Sequence, residues 1–385
     1  MTEEFIYIDE YSLLAEYCEQ LKGAAWLAVD TEFEREKTYY PELALVQITD
    51  GKNAAVIDPL AINDLTPLMD LLYDPSSIKI FHSARQDLEI FFNLKGSIPS
   101  PLFDTQLAAP LLGFTDQIGY ANLVNGMIGV ELSKAHTRTD WKRRPLNEGQ
   151  LQYAIDDVIY LAQIYEKMIQ QLTELNRLDW LENDFKAMTD PEVYEPDSNQ
   201  VWRRIRSGNR LKGKKLAVLQ GLAKWREETA RKENRPRTWL LRDDAIIDLA
   251  HQLPENKGAI FAIKGVHERV ARKHGSELIG VIADSQNNEP QQAVEKTKKK
   301  PLKPNQEAMV DAMMAIVRLR AEENNLSSTL LAPRKEVELL LQNGESIVNS
   351  SWRARMIGDD LKEFIAGKLS FSVIDQKLQM LPTTS

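Results

Sequence analysis

The sequence predicts an α/β domain, a mixed sheet covered by helices, followed by an all-helical half. Three observations carry this. Short apolar runs bounded by turn residues crowd the stretch from Ala24 to Phe81. Helical periodicity is interleaved with them and lengthens toward Leu175. After Asp190 the helix patterns continue and no convincing strand remains. Strands first, then alternating β and α, is the pattern of a mixed sheet with helices packed on it.

Ala24–Phe33 (AAWLAVDTEF) is the first strand candidate, followed closely by Leu43–Thr49 and Ala54–Asp58. Asp50-Gly51-Lys52-Asn53 between the last two predicts a hairpin or meander. Asp64–Tyr73 reads as helix, Ile78–Phe81 as a short strand and Ala84–Leu94 as helix. A longer helix is expected from about Asn147 to Leu175. The polar, proline-containing stretch Asp190–Asn199 reads as a linker. Asp284–Gln306, with three prolines and the run Lys298-Lys299-Lys300, reads as another. The expected division is 1–190, a linker 191–206, a helical unit 207–286, a linker 287–305 and a second helical unit 306–385. The two helical units resemble distant repeats: Trp225-Arg226 precedes Trp239-Leu240-Leu241, and Leu319-Arg320 precedes Thr329-Leu330-Leu331.

Composition excludes several classes. The 385 residues, 43% apolar, suit two or three globular domains. A single cysteine, Cys18, forbids an intrachain disulfide and argues against a cysteine zinc site. The N-terminus is acidic and lacks a signal-peptide pattern. No apolar run approaches the roughly 18 residues of a membrane span. A cytoplasmic protein is expected. Net charge is −9, but unevenly spread: residues 1–200 carry −19 and residues 201–385 carry +10. Such asymmetry fits either nucleic-acid contact or an acidic domain beside a basic one.

Three local patterns point to chemistry. In Asp30-Thr31-Glu32, alternation along a strand puts both carboxylates on one face, where they repel and a bound cation compensates. Asp87 falls in the first turn of a helix, where the helix dipole also stabilises a carboxylate. His82 just before it reads as a hydrogen-bonding residue of the strand–helix junction, in preference to a ligand or base. Tyr153 and Asp157 are four apart on one helix face, with Ala154, Val158, Leu161 and Tyr165 as the core stripe. Asp156 points about 100° away, toward solvent.

The order Asp-x-Glu, then Asp, then Tyr-x-x-x-Asp resembles the tyrosine-bearing branch of the DEDD exonuclease superfamily. The words DTEF, HxxxQDLEIF and YAxxDVxYL resemble the ribonuclease D family. So do Phe103-Asp104-Thr105, Asn122-Leu123-Val124, Asp140-Trp141 and Arg144-Pro145-Leu146. The resemblance spans essentially the whole chain and is strongest over residues 20–170. It implies a ribonuclease H-like exonuclease domain followed by two HRDC-like helical bundles, the first the clearer. It implies 3′→5′ hydrolysis of RNA into nucleoside 5′-monophosphates, in maturation of tRNA precursors, by a monomer. Two Mg²⁺ ions, replaceable by Mn²⁺, are implied. Asp30 would bridge both, Glu32 and Asp157 would complete the water-activating site, and Asp87 would hold the second ion. Tyr153 would orient the attacking water, because a free phenol with a pKa of about 10 is a poor base at neutral pH. The same five residues would serve a DNA exonuclease, and a non-catalytic RNA-binding scaffold on the same fold is the third alternative.

RNA must be held through its phosphates by basic residues. One candidate cluster is Arg138, Lys142, Arg143 and Arg144; the alternatives are a solvated loop or pairing with nearby acids. The other is Arg203, Arg204, Arg206, Arg210 and Lys212, continued by Lys214 and Lys215. It would either guide RNA or dock the helical half on the acidic domain.

Overall fold

A computed structural model describes residues 5–133, 136, 139–291 and 301–383. Six strands form the sheet: β1 (Ile6–Ile8), β2 (Trp26–Glu34), β3 (Glu42–Thr49), β4 (Ala54–Ile57), β5 (Ile78–Phe81) and β6 (Leu102–Asp104). Their spatial order is β1-β4-β3-β2-β5-β6. β2 runs antiparallel to β3 and parallel to β5, so the sheet is mixed, as expected. Both faces are covered. α1 (Tyr11–Gln20), α2 (Thr66–Leu72) and α3 (Arg85–Lys95) pack on the face of Leu27, Val29, Val46 and Ile48. α4 (Thr105–Ala108), α5 (Tyr120–Ile128) and α6 (Glu148–Glu174) pack on the face of Ala28 and Leu45. Leu27, Ala28 and Val29 are wholly buried. Each Leu or Val so buried contributes about 1.5–3 kcal/mol, which fixes β2 in place.

α6 starts where its sequence says it should. Asn147 caps Gln150 N, and the Gln150 side chain caps Asn147 N in return, both at 2.9 Å. Its expected core stripe, Ala154, Val158, Leu161 and Tyr165, is buried. α7 (Glu182–Met188) closes the domain.

The first helical bundle comprises α8 (Gly213–Lys232), α9 (Arg237–Leu240), α10 (Asp243–Gln252), α11 (Lys257–Ala262) and α12 (Glu268–Ser285). Val201, Trp202 and Ile205 lie in its core, so the end of the segment read as a linker is packed structure. The second comprises α13 (Pro304–Glu323), α14 (Ser328–Leu331), α15 (Arg334–Asn343), α16 (Ser351–Arg353) and α17 (Asp359–Ile365). Long, short, long recurs as α8-α9-α10 and α13-α14-α15, matching the repeat read from Trp239-Leu240-Leu241 and Thr329-Leu330-Leu331. The expectation of a wholly helical second unit over 306–385 fails at its end. β7 (Leu369–Ile374) and β8 (Lys377–Pro382) form an antiparallel hairpin, anchored by Phe371 against Phe364. The Lys298-Lys299-Lys300 run lies outside the described residues. No helix among the described residues is long and apolar enough to cross a membrane.

Both bundles dock on the α/β domain. Trp352 stacks on Trp180 with centroids 4.4 Å apart, and the Arg177 guanidinium donates to Leu111 O and Asn324 O. Gly113 has φ +89°, and a Cβ there would lie 2.5 Å from Asn325, so glycine is required at this contact. The first bundle docks through Tyr39, whose hydroxyl donates to buried Glu227 at 2.5 Å. The Arg237 guanidinium pairs with Glu227 and also donates to the Tyr39 oxygen. Asn234 Oδ1 accepts from the backbone of Tyr39 and Tyr40. Glu227→Ala strands two arginines and opens this joint. The expected cost is about 3 kcal/mol, the lower range for breaking a buried ion pair. A reduced urea midpoint and faster proteolysis in the 35–40 loop would show it.

Candidate active site

The strand alternation expected of Asp30 and Glu32 is realised on β2, on the face that packs against α6. A register shift between Glu32 and Phe33 marks a β-bulge, which ends the regular ladder beside the site. Asp157 comes from α6, one turn after Tyr153. Asp30, Glu32 and Asp157 each offer a carboxylate oxygen, and these atoms lie within 4.8 Å of one another. Tyr153 lines the same cleft of about 270 Å³, with Thr31, His82, Tyr120 and Leu161. Trp141 and His136 lie against the Tyr153 ring, with centroids 6.0 Å away.

Asp87 enters from α3, on the opposite face of the sheet, and is buried. It reaches β2 at Thr31, whose hydroxyl donates to Asp87 Oδ1. It falls outside the group of three carboxylates but borders it, since Asp30 raises Asp87 and Asp87 raises Glu32.

Among the described residues, no lysine or arginine lines the cleft to compensate these charges. Burial and the neighbouring Asp157 hold the Asp30 carboxyl well above the usual carboxylate range. Burial, then Asp30, Asp157 and Asp87, push Glu32 up to about 9. Burial and Asp156 push Asp157 up to about 7. Burial and Asp30 raise Asp87, against the hydrogen bond from Thr31. Burial lowers His82, so it brings no cation. A half-buried set of hard oxygen ligands with excess negative charge fits a divalent cation, and it is read as a divalent-metal site.

Residues that pattern reading passed over also shape the cleft. Tyr120 donates its hydroxyl to the backbone oxygen of Asp157, holding α5 to α6. Gln47 pairs directly across from Asp30 on β3, fully buried, and its amide has no hydrogen-bond partner among the described residues. His82 Nδ1 sits 2.9 Å from Thr105 Oγ1, the junction role expected of it. Asp156 is half-buried and accepts from Gln152 at 2.7 Å, so it is less solvated than expected.

The basic candidates divide. Arg144 is a structural anchor, correcting its reading as an RNA contact: it pairs with buried Asp58 at 2.5 Å and donates to Ala44 O and Trp141 O. Lys142 pairs with Glu42 at 3.0 Å. Arg143 is exposed. Arg138 lies outside the described residues. Arg203, Arg204, Arg206, Arg210 and Lys212 are exposed, with Arg203 beside the Trp202 ring.

Comparison with known proteins matches this geometry to a family. Residues 5–173 match the model of a 3′-5′ exonuclease domain, and residues 215–282 that of the HRDC domain. A ribonuclease D from Sphingobium indicum is 36% identical over 382 residues, 98% of each chain. The chain belongs to the ribonuclease D family. The Pseudomonas paraeruginosa ribonuclease D is 40% identical over 341 residues, 89% of this chain and 90% of that one. The crystal structure of Escherichia coli RNase D, described as an exoribonuclease involved in structured RNA processing, matches with a TM-score of 0.80 and 31% identity. It covers 94% of this chain and 99% of its own. Members of the ribonuclease D family are 3′→5′ exoribonucleases, and this chain is one.

A carboxyl with a raised folded pKa keeps its proton after the unfolded chain has lost it. Its contribution is full below the unfolded value and is lost as pH rises through the folded one. Without divalent cations, the thermal midpoint should therefore fall from about pH 5 to about pH 9. Glu32→Gln should flatten that fall, and added Mg²⁺ should reverse it. A midpoint indifferent to both would contradict the electrostatic description.

Proposed function

We propose that this ribonuclease D family member trims the 3′ ends of tRNA precursors, releasing one nucleoside 5′-monophosphate at a time. The observation that carries the reading is the grouping of Asp30, Glu32 and Asp157 within 4.8 Å, in one cleft with Tyr153. The substrate class rests on the relatives' names and on full-length similarity to them.

Asp30, Glu32 and Asp157 would hold one divalent cation, and Asp30 with Asp87 a second, Mg²⁺ by preference and Mn²⁺ as substitute. When bound, such a pair supplies an acidified water and shields charge on the phosphate. The chain's own groups then orient the reactants. Tyr153 hydrogen-bonds the attacking water and holds it in line with the scissile bond. The water oxygen forms the new bond to phosphorus, and the bond to the 3′ oxygen of the preceding nucleotide breaks. That oxygen leaves with a proton, which keeps the phosphate on the released nucleotide's 5′ side. Thr31 keeps the Asp87 carboxylate turned toward β2, and Tyr120 holds Asp157 on its helix turn. The exposed cations Arg143, Arg203, Arg204, Arg206, Arg210 and Lys212 would draw the RNA toward a site that repels its phosphates.

The domain division that suits this reading keeps 1–190 as the nuclease and 306–385 as an HRDC-like unit, starts the first HRDC-like unit at 201 instead of 207, and takes a monomer as the working form. A cytoplasmic location accords with the single, buried cysteine.

The decisive experiment compares Mg²⁺ with EDTA on a tRNA carrying a 3′ extension. Metal-dependent shortening with release of 5′-mononucleotides is expected, and its absence would sink the proposal. A matched DNA oligonucleotide should be cut more slowly; equal rates would point to a nuclease indifferent to the sugar.

Asp30→Ala should lower turnover by at least about 10³-fold and, in EDTA, raise the thermal midpoint by relieving repulsion. Tyr153→Phe should lower kcat by roughly 10- to 100-fold and leave metal affinity unchanged, as isothermal titration with Mn²⁺ would report.

A further inference from the structure

The nuclease cleft does not account for a second cavity, of about 450 Å³, in the first helical bundle. It lies between α9, the start of α10 and the first turns of α12. Its floor is apolar: Leu240, Val266 and Val270 are buried there. Trp239 stands at its wall with 51% of its surface exposed. Among the described residues, Arg235, Arg242, Arg269 and Lys273 line it and no carboxylate does. Asp244 borders it only at Gly265. Arg235 and Lys273 share Glu233, whereas Arg242 and Arg269 are exposed and, among the described residues, pair with no carboxylate.

A half-exposed indole beside exposed guanidiniums, over an apolar floor, contributes little to folding. It suits a flat aromatic ring stacked on Trp239 with an anionic group on the arginines. We infer that this cavity is a nucleotide subsite for single-stranded RNA upstream of the 3′ end, with a base on Trp239 and its phosphates on Arg242 and Arg269. The inference rests on the exonuclease reading for the identity of the strand. Its position agrees. Leu240 packs on Tyr39, and Thr238 also lines a neighbouring groove with Arg35 and Tyr39, in the loop that follows catalytic strand β2. RNA lying along this boundary runs from the basic half of the chain toward the acidic cleft. A protein partner would make no comparable use of unpaired guanidiniums flanking one ring.

The test measures binding of a 5′-fluorescein-labelled oligoadenylate by the full chain in EDTA, and single-turnover cleavage in Mg²⁺. Stacking of one base on an aromatic side chain is worth roughly a 5- to 100-fold change in affinity. Trp239→Ala should weaken binding of an RNA of about 20 nucleotides by that factor, and lose much less on a tetranucleotide. Trp239→Phe should recover most of the loss. Arg242→Ala with Arg269→Ala should reduce the salt slope by about 0.7 for each phosphate released. Unchanged affinity and salt slope for the long RNA would overturn the subsite, as would an equal loss on both lengths. Failure of the exonuclease reading is separable: the unaltered chain would then not shorten RNA in Mg²⁺, while the comparison in EDTA still decides the subsite.

Discussion

The structure depends on holding mutually repelling carboxylates where they cannot move apart. Asp30 and Glu32 sit on β2, whose Leu27, Ala28 and Val29 are wholly buried between two helical layers. β3 and β5 pair with it on both sides, so the strand cannot slide or tilt to relieve its charges. Asp157 is fixed by α6, whose apolar stripe is buried against the same sheet. Stability is given up in this arrangement, because burial and mutual repulsion raise the carboxyls. A bound divalent cation would offset that cost, which makes metal affinity a property of the rigid sheet as much as of the ligands. A flexible loop bearing the same four acids would splay and bind weakly.

The helical bundles are tied to this rigid frame at points close to the chemistry. Arg35 donates both guanidinium arms to Glu89 on α3, the helix that carries Asp87, and a further bond to Tyr39 O. Tyr39 in turn donates to Glu227 on α8. A connected set of hydrogen bonds therefore runs from the Asp87 helix into the first bundle. The second bundle is joined differently, by a continuous apolar core and the Trp180–Trp352 stack. The first joint is polar and charge-rich and the second is apolar, so salt and denaturant should act on them unequally.

Much of the catalytic domain was legible in the sequence because its signals are local. Asp-x-Glu needs only strand alternation, and Tyr-x-x-x-Asp only helical pitch. The turn Asp50-Gly51-Lys52-Asn53 set the β3–β4 hairpin, and β5 fell on the residues expected. What escaped was either too short or too distant. β1 and β6 have three residues each, below the length at which alternation is informative. The β7–β8 hairpin alternates Leu369, Phe371 and Val373 with serines. Its turn, however, puts Asp375 and Gln376 at positive φ with no glycine to announce it. Arg144 looked like a phosphate contact because its partner, Asp58, lies 86 residues away. Thr31, Gln47 and Tyr120 were invisible for the same reason: their importance is in what folding brings beside them.

The charge asymmetry between the two halves takes on a mechanistic sense from these contacts. Phosphates must approach a cleft that has no lysine or arginine among its described lining residues. Placing lysines or arginines beside the carboxylates would neutralise them and compete with the metal. The exposed cations are instead displaced onto the edge of the nuclease domain and the first bundle, at Arg143, Arg203, Arg204, Arg206 and Arg210, and around Trp239. Exposed charges are screened over roughly a Debye length, about 8 Å at physiological salt, so cations outside the cleft lining act on its carboxylates less than a cation within it would. Such a separation would let one chain attract a polyanion and still keep an acidic site for metal.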